Sequence, residues 1–192
     1  MRLPSYMSGG DEEVTEWWVS TLPLLRVALR GLRRKPCLQI SGGHGLGKTT
    51  IARMIADTFH LPFVPLDPTA AGYSRLQTSL PSFPQRHFMQ WQLEQQRRHA
   101  RAVFDRGLED SGAYAILYGL LTRKEVLAIL QKEAWWRRRR IHVIVLVGRP
   151  LTHRPEAKVE SSRVSTLIID LLEETRMDYS VVEVVGRPGG HA

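Results

Sequence analysis

Apolar positions along the chain alternate between two periods. Short runs rich in β-type residues fall at 37–41, 63–66, 102–104, 141–147 and 179–185, and between them apolar residues recur at three- and four-residue steps. The run at 141–147 is apolar almost throughout, as a strand covered on both faces must be. Helical spacing joins Trp17, Leu24, Leu25, Ala28 and Leu32 over 13–34, where Pro23 is expected to kink or split the helix. It also joins Ile51, Met54, Ile55 and Phe59, and then Val164, Leu167, Ile168, Leu171 and Leu172 over 162–176. A glutamine-rich helix is predicted at 85–101, and two further helices at 110–118 and 122–136, with Asp110 and Thr122 as their N-caps. Strands alternating with helices predict an α/β fold: a mainly parallel five-stranded sheet with helices on both faces, in three layers. The ends, 1–12 and 186–192, are rich in glycine, proline and polar residues and read as flexible, which leaves one domain over 13–185.

The strand at 37–41 runs into Gly42-Gly43-His44-Gly45-Leu46-Gly47-Lys48-Thr49, followed by Thr50 and a helix. This is G-x-x-x-x-G-K-[ST] between strand and helix, the context a phosphate-binding P-loop needs. Glycines let the backbone wrap a phosphate closely, and the loop amides and the helix N-terminus face its negative charge. Residues 42–50 are therefore the candidate nucleotide-binding set, with ATP as cofactor. Lys48 is placed to reach the β- and γ-phosphates, and the Thr49 hydroxyl to bind magnesium. His44 is expected to point to solvent from within the loop.

Ligands of open α/β sheets sit at the carboxyl ends of the strands, which directs attention to Asp67, to Asp105 and Arg106, and to Arg149 and Arg187. Asp105 is the expected acid for the magnesium, and Arg106 a bidentate partner for an acceptor or its phosphate. Asp67 is positioned to take a proton from an acceptor hydroxyl, although before Pro68 it also suits a turn. The loop at 148–161, with Arg149, Arg154 and Lys158, and Arg163 at the start of the next helix, has the charge of a lid that closes over a triphosphate. A solvated basic loop fits the same residues.

The segment Phe104-Asp105-Arg106-Gly107-Leu108-Glu109-Asp110-Ser111-Gly112-Ala113-Tyr114 resembles the Asp-Arg-x-x-x-Asp-Ser-x-Ala-Tyr segment of thymidylate kinases and of nicotinamide-riboside-kinase-like P-loop proteins, and is more distantly similar to deoxynucleoside kinases. The preceding helix, from Phe88 to Gln96, is similar to the one that lines the nucleoside pocket in those kinases. With the P-loop the resemblance spans about 37–185, and it implies a three-layer P-loop NTPase fold acting as a phosphotransferase on a nucleoside or nucleotide acceptor. The composition of that helix by itself points instead to Gln92 and Gln95 facing water. Two other functions stay open: an ATPase or regulatory ATP-binding protein driving a partner, and an enzyme acting on nucleic acid. The run at 167–174, apolar then acidic, imitates the acid-bearing strand of AAA-type ATPases, but its period is helical.

Composition adds three constraints. Only one cysteine, Cys37, is present, so an internal disulfide is excluded; with acids at Asp11, Glu12 and Glu13 instead of a basic leader, a cytoplasmic location is expected. No apolar run reaches the roughly 18 residues of a membrane span. A net charge of +8 favours polyanions in general. Its densest parts, Arg30 with 33–35 and Arg137 to Arg140, both precede strands and so belong at the amino ends of the sheet, away from the nucleotide. There they offset helix dipoles or contact nucleic acid weakly. Tryptophan pairs at 17–18 and 135–136 read as ordinary core residues, with a shared aromatic surface in a homodimer as the alternative.

Overall fold

The structure is a computed structural model that describes residues 11–73, 84–148 and 155–184. In chain order the elements are α1 (Asp11–Arg34), β1 (Cys37–Gly42), α2 (Lys48–Phe59), β2 (Phe63–Pro65), α3 (Gln85–Arg98), β3 (Ala102–Asp105), α4 (Leu108–Leu117), α5 (Arg123–Arg140), β4 (Ile141–Gly148), α6 (Pro155–Glu174) and β5 (Tyr179–Val184). The five strands form one sheet in the order β2-β3-β1-β4-β5, and every pairing is parallel. β1, which carries the loop, lies in the middle.

Period-two alternation along the strands sorts the core into two slabs. Leu38 and Ile40 of β1, Val103 of β3 and Ile144 and Leu146 of β4 pack with Leu24 and Ala28 of α1 and Ile51, Met54 and Ile55 of α2. The opposite sheet face, with Phe104, Val143 and Val145, packs on Met89 and Leu93 of α3, Val126 and Leu130 of α5, and Val164, Ile168, Leu171 and Leu172 of α6. These are the three predicted layers. Gln39 and Ser41 of β1 face the α3–α6 side and are fully buried, so a polar seam runs through that slab.

Four local expectations are corrected. α1 runs unbroken through Pro23, so the proline does not split it, and its side chain is exposed. α4 begins at Leu108, with Gly107 as its N-cap; Asp110 sits at the third helical position and accepts from the Gly107 amide at 3.0 Å. A Cβ at Gly107 would lie 2.0 Å from Gln39 Oε1, so any larger residue there must displace the Gln39 amide. α6 starts at Pro155, seven residues earlier than the polar sequence suggested, with proline in its favoured place at a helix's first turn. The part of the expected lid from 155 to 161 is thus helix. Arg149 and Arg154 lie outside the described residues, as do Arg187 and the side chain of Lys158. Finally, α5 extends to Arg140, and Arg137 belongs to the interior instead of a solvated basic cluster.

Thr122 caps α5 as expected, accepting from the Glu125 amide at 3.3 Å. The run at 167–174 lies within α6. Trp135 is 65% exposed, whereas Trp136 packs against the core; the side chains of Trp17 and Trp18 lie outside the described residues. No described helix is long and apolar enough to cross a membrane.

Candidate active site

The loop between β1 and α2 takes its shape from three glycines with positive φ, Gly42 at 139°, Gly45 at 76° and Gly47 at 73°. Gly47 ends the loop as the left-handed N-cap of α2. Gly43 is needed for a different reason: a Cβ there would meet Ser161 Oγ at 2.1 Å and its carbonyl oxygen at 2.3 Å, so α6 is pressed onto the loop. One turn on, Ser165 Oγ accepts from the Gly43 amide at 3.0 Å and donates to Leu146 O at 3.3 Å. The side chain of Leu46 is in the core, so only its backbone serves the loop. Thr50 and His44 are exposed, and His44 also lines the neighbouring cavity.

Lys48 is 3% exposed, and its ammonium group donates to Gly43 O across the loop. Burial, then the nearby charge of Arg106, pulls its pKa down to about 8, while Asp110 and Asp105 oppose the fall. Thr49 Oγ1 donates to Asp105 Oδ2 at 2.6 Å. Asp105 ends β3 fully buried, and its other oxygen, Oδ1, has no hydrogen-bond partner among the described residues. A buried carboxylate oxygen without a donor, beside a hydroxyl, is a hard-oxygen pair suited to a cation that keeps most of its own waters, as magnesium does. No described cluster of three histidine, cysteine or acidic residues offers a fully protein-built metal site.

Asp110 contributes more to this site than a helix cap would. Its Oδ2 accepts from Ser41 Oγ at 2.7 Å and from Gly107 N at 3.0 Å, and its Oδ1 from Gly42 N at 3.3 Å. It thereby ties α4 to the first amide of the loop. Burial raises its pKa to about 6, although Lys48, the Ser41 hydrogen bond and Arg106 each work in the other direction.

Behind Asp110 lies a fully buried polar network. Arg137 reaches in from α5 and donates to both oxygens of Glu109, from Nη2 at 2.8 Å to Oε2, and from Nη2 to Gln39 Oε1 at 3.2 Å. Gln39 Nε2 donates to Glu109 Oε2 at 2.9 Å and to Ser41 Oγ at 2.9 Å, and Gln96 Nε2 donates to Gln39 Oε1 at 2.8 Å. Burial by itself would raise Glu109, but the charge and hydrogen bonds of Arg137, with that of Gln39, leave its pKa below the usual value. The chain of contacts ends at Ser41 and Asp110, so an ion pair remote from the loop supports the loop's entry.

Beside the loop opens a cavity of about 410 Å³. Its lining includes Arg106, Asp110 and Gln92 together with Phe88, Tyr114 and Tyr118. Arg106 has φ 76°, a left-handed backbone that turns its side chain at the end of β3, and its Nε is buried without a partner. Gln92 is buried, contrary to the solvated helix expected from composition; its Nε2 donates to Leu66 O at 2.7 Å, and its Oε1 has no partner among the described residues. Gln95 is half-buried. Phe88 stacks on Trp91 with centroids 5.9 Å apart, and Tyr114 on Tyr118 at 6.1 Å. Tyr118 donates to Glu160, which ties the C-cap of α4 to α6 in the cavity lining.

Two expected residues stand less close to this centre. Asp67 Oδ1 accepts from the Ala70 amide at 2.9 Å in a turn, between the cavity-lining Leu66 and Pro68. Arg163 is exposed on α6 and lies outside the described cavity lining, which Glu160 reaches instead.

Comparisons with known proteins bear on the fold and the family. Among solved structures, the YorR protein from Bacillus subtilis in complex with phosphorylated GDP superposes with a TM-score of 0.51 at 12% identity, over 77% of this chain and 85% of that one. Deoxyadenosine kinase from M. mycoides with bound dCTP gives 0.48 at 13% identity, over 77% and 89%, and with bound dATP 0.46 at 14%, over 77% and 90%. The likeness to the first is one of fold. Curated protein sequences give no match. A family model described as an AAA domain matches residues 38–188, most of the chain and all of the site described above. With its P-loop, parallel sheet and family match in one frame, the chain belongs to that AAA-domain family of P-loop nucleotide-binding proteins.

Proposed function

We propose that the protein is a phosphotransferase that moves the γ-phosphate of ATP to a small acceptor, a nucleoside or nucleoside monophosphate, held in the cavity beside the loop. One observation carries the reading. The cavity is of ligand size and is lined by His44 of the loop and by Arg106, which follows Asp105 in the chain, and two of its lining residues bear buried polar atoms, Arg106 Nε and Gln92 Oε1, that have no partner within the described protein. An ATPase that drives a partner protein has no need of such a chamber.

Phosphoryl transfer asks mainly for in-line placement and for charge that follows the moving oxygens. In this reading residues 42–50 hold the triphosphate, and Lys48 exchanges its contact with Gly43 O for the β- and γ-phosphates. Thr49 and Asp105 would hold magnesium, which draws charge from the phosphate oxygens. Arg106 offers a guanidinium at the junction of loop and cavity, suited to an acceptor phosphate or to the transferring group. Gln92 Oε1 accepts from a donor on the acceptor, and Phe88 gives a planar apolar wall. Asp67 is the candidate base for an acceptor hydroxyl, with one carboxylate oxygen committed to its turn. Arg163 keeps a role only if closure over the triphosphate carries it inward. A cytoplasmic setting suits these substrates.

The test is coupled ADP release with a panel of nucleosides and nucleoside monophosphates. Turnover stimulated by one acceptor class is expected, with Asp105→Asn and Arg106→Ala each slowing it by about 100-fold, the usual cost of removing a preorganised charge. Turnover indifferent to every acceptor would favour the ATPase reading.

A further inference from the structure

The five strands are parallel, so what precedes each strand emerges at the sheet edge opposite the loop and cavity. Cys37 pairs in register with Ala102 on one side and Ile141 on the other. The lead-ins to β3, β1 and β4 are therefore neighbours, roughly 5 Å apart strand to strand. Two contacts tie them: Lys35 donates to Arg138 O, and Arg140 Nη2 donates to Ala100 O at 2.8 Å. Exposed at this edge are Arg33 and Arg34 before β1, Arg101 before β3, Arg139 before β4 and Arg176 before β5. None of the five forms an ion pair among the described residues, and Asp178 on the same edge is paired with Lys35 at 2.8 Å.

Helix dipoles account for only part of this. Arg33, Arg34 and Arg139 lie in the last turns of α1 and α5. Arg101 and Arg176 lie beyond the ends of α3 and α6, and α6 ends in Glu173 and Glu174, the wrong sign for its dipole. The edge also carries an indole that the core does not use: Trp135 is 65% exposed, with the Arg139 guanidinium 3.8 Å over its ring. A row of unpaired guanidiniums beside an exposed aromatic plane is the pairing that holds a phosphate backbone and stacks an unpaired base.

We propose that this amino-terminal edge of the sheet is a second binding site, for single-stranded nucleic acid, separate from the nucleotide cavity. An anionic membrane surface would use the same cations, but it rewards a set of inserted apolar side chains, whereas this edge offers one flat ring already stacked with arginine. The strand's phosphates lie along the arginines and a base stacks at Trp135.

Fluorescence anisotropy of a labelled oligothymidylate with the full chain tests this, with vesicles containing phosphatidylserine and a duplex of equal length as controls. Four phosphate contacts predict affinity falling about 50-fold between 50 and 200 mM salt, since single strands give a slope of roughly 0.7 per contact. The variant R33S/R34S/R101S/R139S, folded by circular dichroism, should lose most of that slope and most of the binding. Trp135→Ser should weaken binding about 10-fold with the slope retained. Lys48→Ala should bind the oligonucleotide as the wild type does, and ATP should not displace it. The proposal is overturned if ATP competes, if the four-arginine variant binds unchanged, if duplex binds as well as single strand, or if only the vesicles bind. None of these readings depends on acceptor phosphorylation, so failure here and failure of the phosphotransferase reading are separable.

Discussion

At the scale of single residues, the site is governed by what burial does to charge. Lys48 and Asp110 are both buried beside the loop, and their pKa values move toward each other, down to about 8 and up to about 6. Asp110 has an ordinary value of 3.8, so the folded protein binds its proton more tightly than the unfolded chain does. The stabilising effect of that proton is complete below about pH 4 and is lost as pH rises through about 6, an effect on the order of 3 kcal/mol. Asp110→Asn should remove this slope: urea titrations of wild type and variant at pH 4.5 and 7 are expected to show the wild type losing stability relative to the variant at the higher pH. Parallel pH dependence in the two proteins would mean that Asp110 is ionised throughout.

At the scale of elements, the loop is positioned by helices from both ends of the chain order. α6 presses Ser161 against Gly43, and because two of the atoms that a Cβ would meet are backbone, no rotamer change relieves the clash. Gly43→Ala should therefore push α6 off the loop and abolish nucleotide binding in a protein whose circular dichroism is near normal; unimpaired binding would show that α6 is free to shift. The buried pair of Arg137 and Glu109 links α5 to α4. Removing one partner strands a charge, so Arg137→Met should cost about 3–5 kcal/mol of unfolding free energy, and Arg137→Met with Glu109→Leu should recover most of it. Equal losses in the single and double variants would assign the cost to packing.

For the molecule as a whole, the parallel sheet separates two chemistries. Its carboxyl edge gathers the loop, Asp105, Arg106 and the cavity, and its amino edge gathers the exposed arginines. Ligand linkage checks that the first edge is a working nucleotide site. At ATP about 100-fold above Kd, the thermal midpoint should rise by an amount equivalent to about 2.7 kcal/mol, and Lys48→Ala should lose that rise with its ligand-free midpoint within a few degrees of wild type. An equal rise in both proteins would place ATP away from the loop.

Local pattern alone determined the α/β class, all five strands, the P-loop in its strand-to-helix setting, Thr122 as a cap and the place of Asp105 and Arg106 at a strand's carboxyl end. These rest on properties readable over a few residues: apolar period, glycine spacing and the strand end. What needed the tertiary structure was the fate of polar residues whose partners are distant in sequence. Gln92 looks solvated because its helix is polar, but it is buried with its Nε2 on Leu66 O, and Gln96 of the same helix is buried between Gln39 and Arg137. Arg137 looks like one of four surface arginines until Glu109, 28 residues away, takes it inside. Asp110 suits a helix cap until Ser41 and Gly42 come within reach from β1. A buried charge or amide is stable only where its hydrogen bonds are made, and in this chain those partners meet only when the sheet closes.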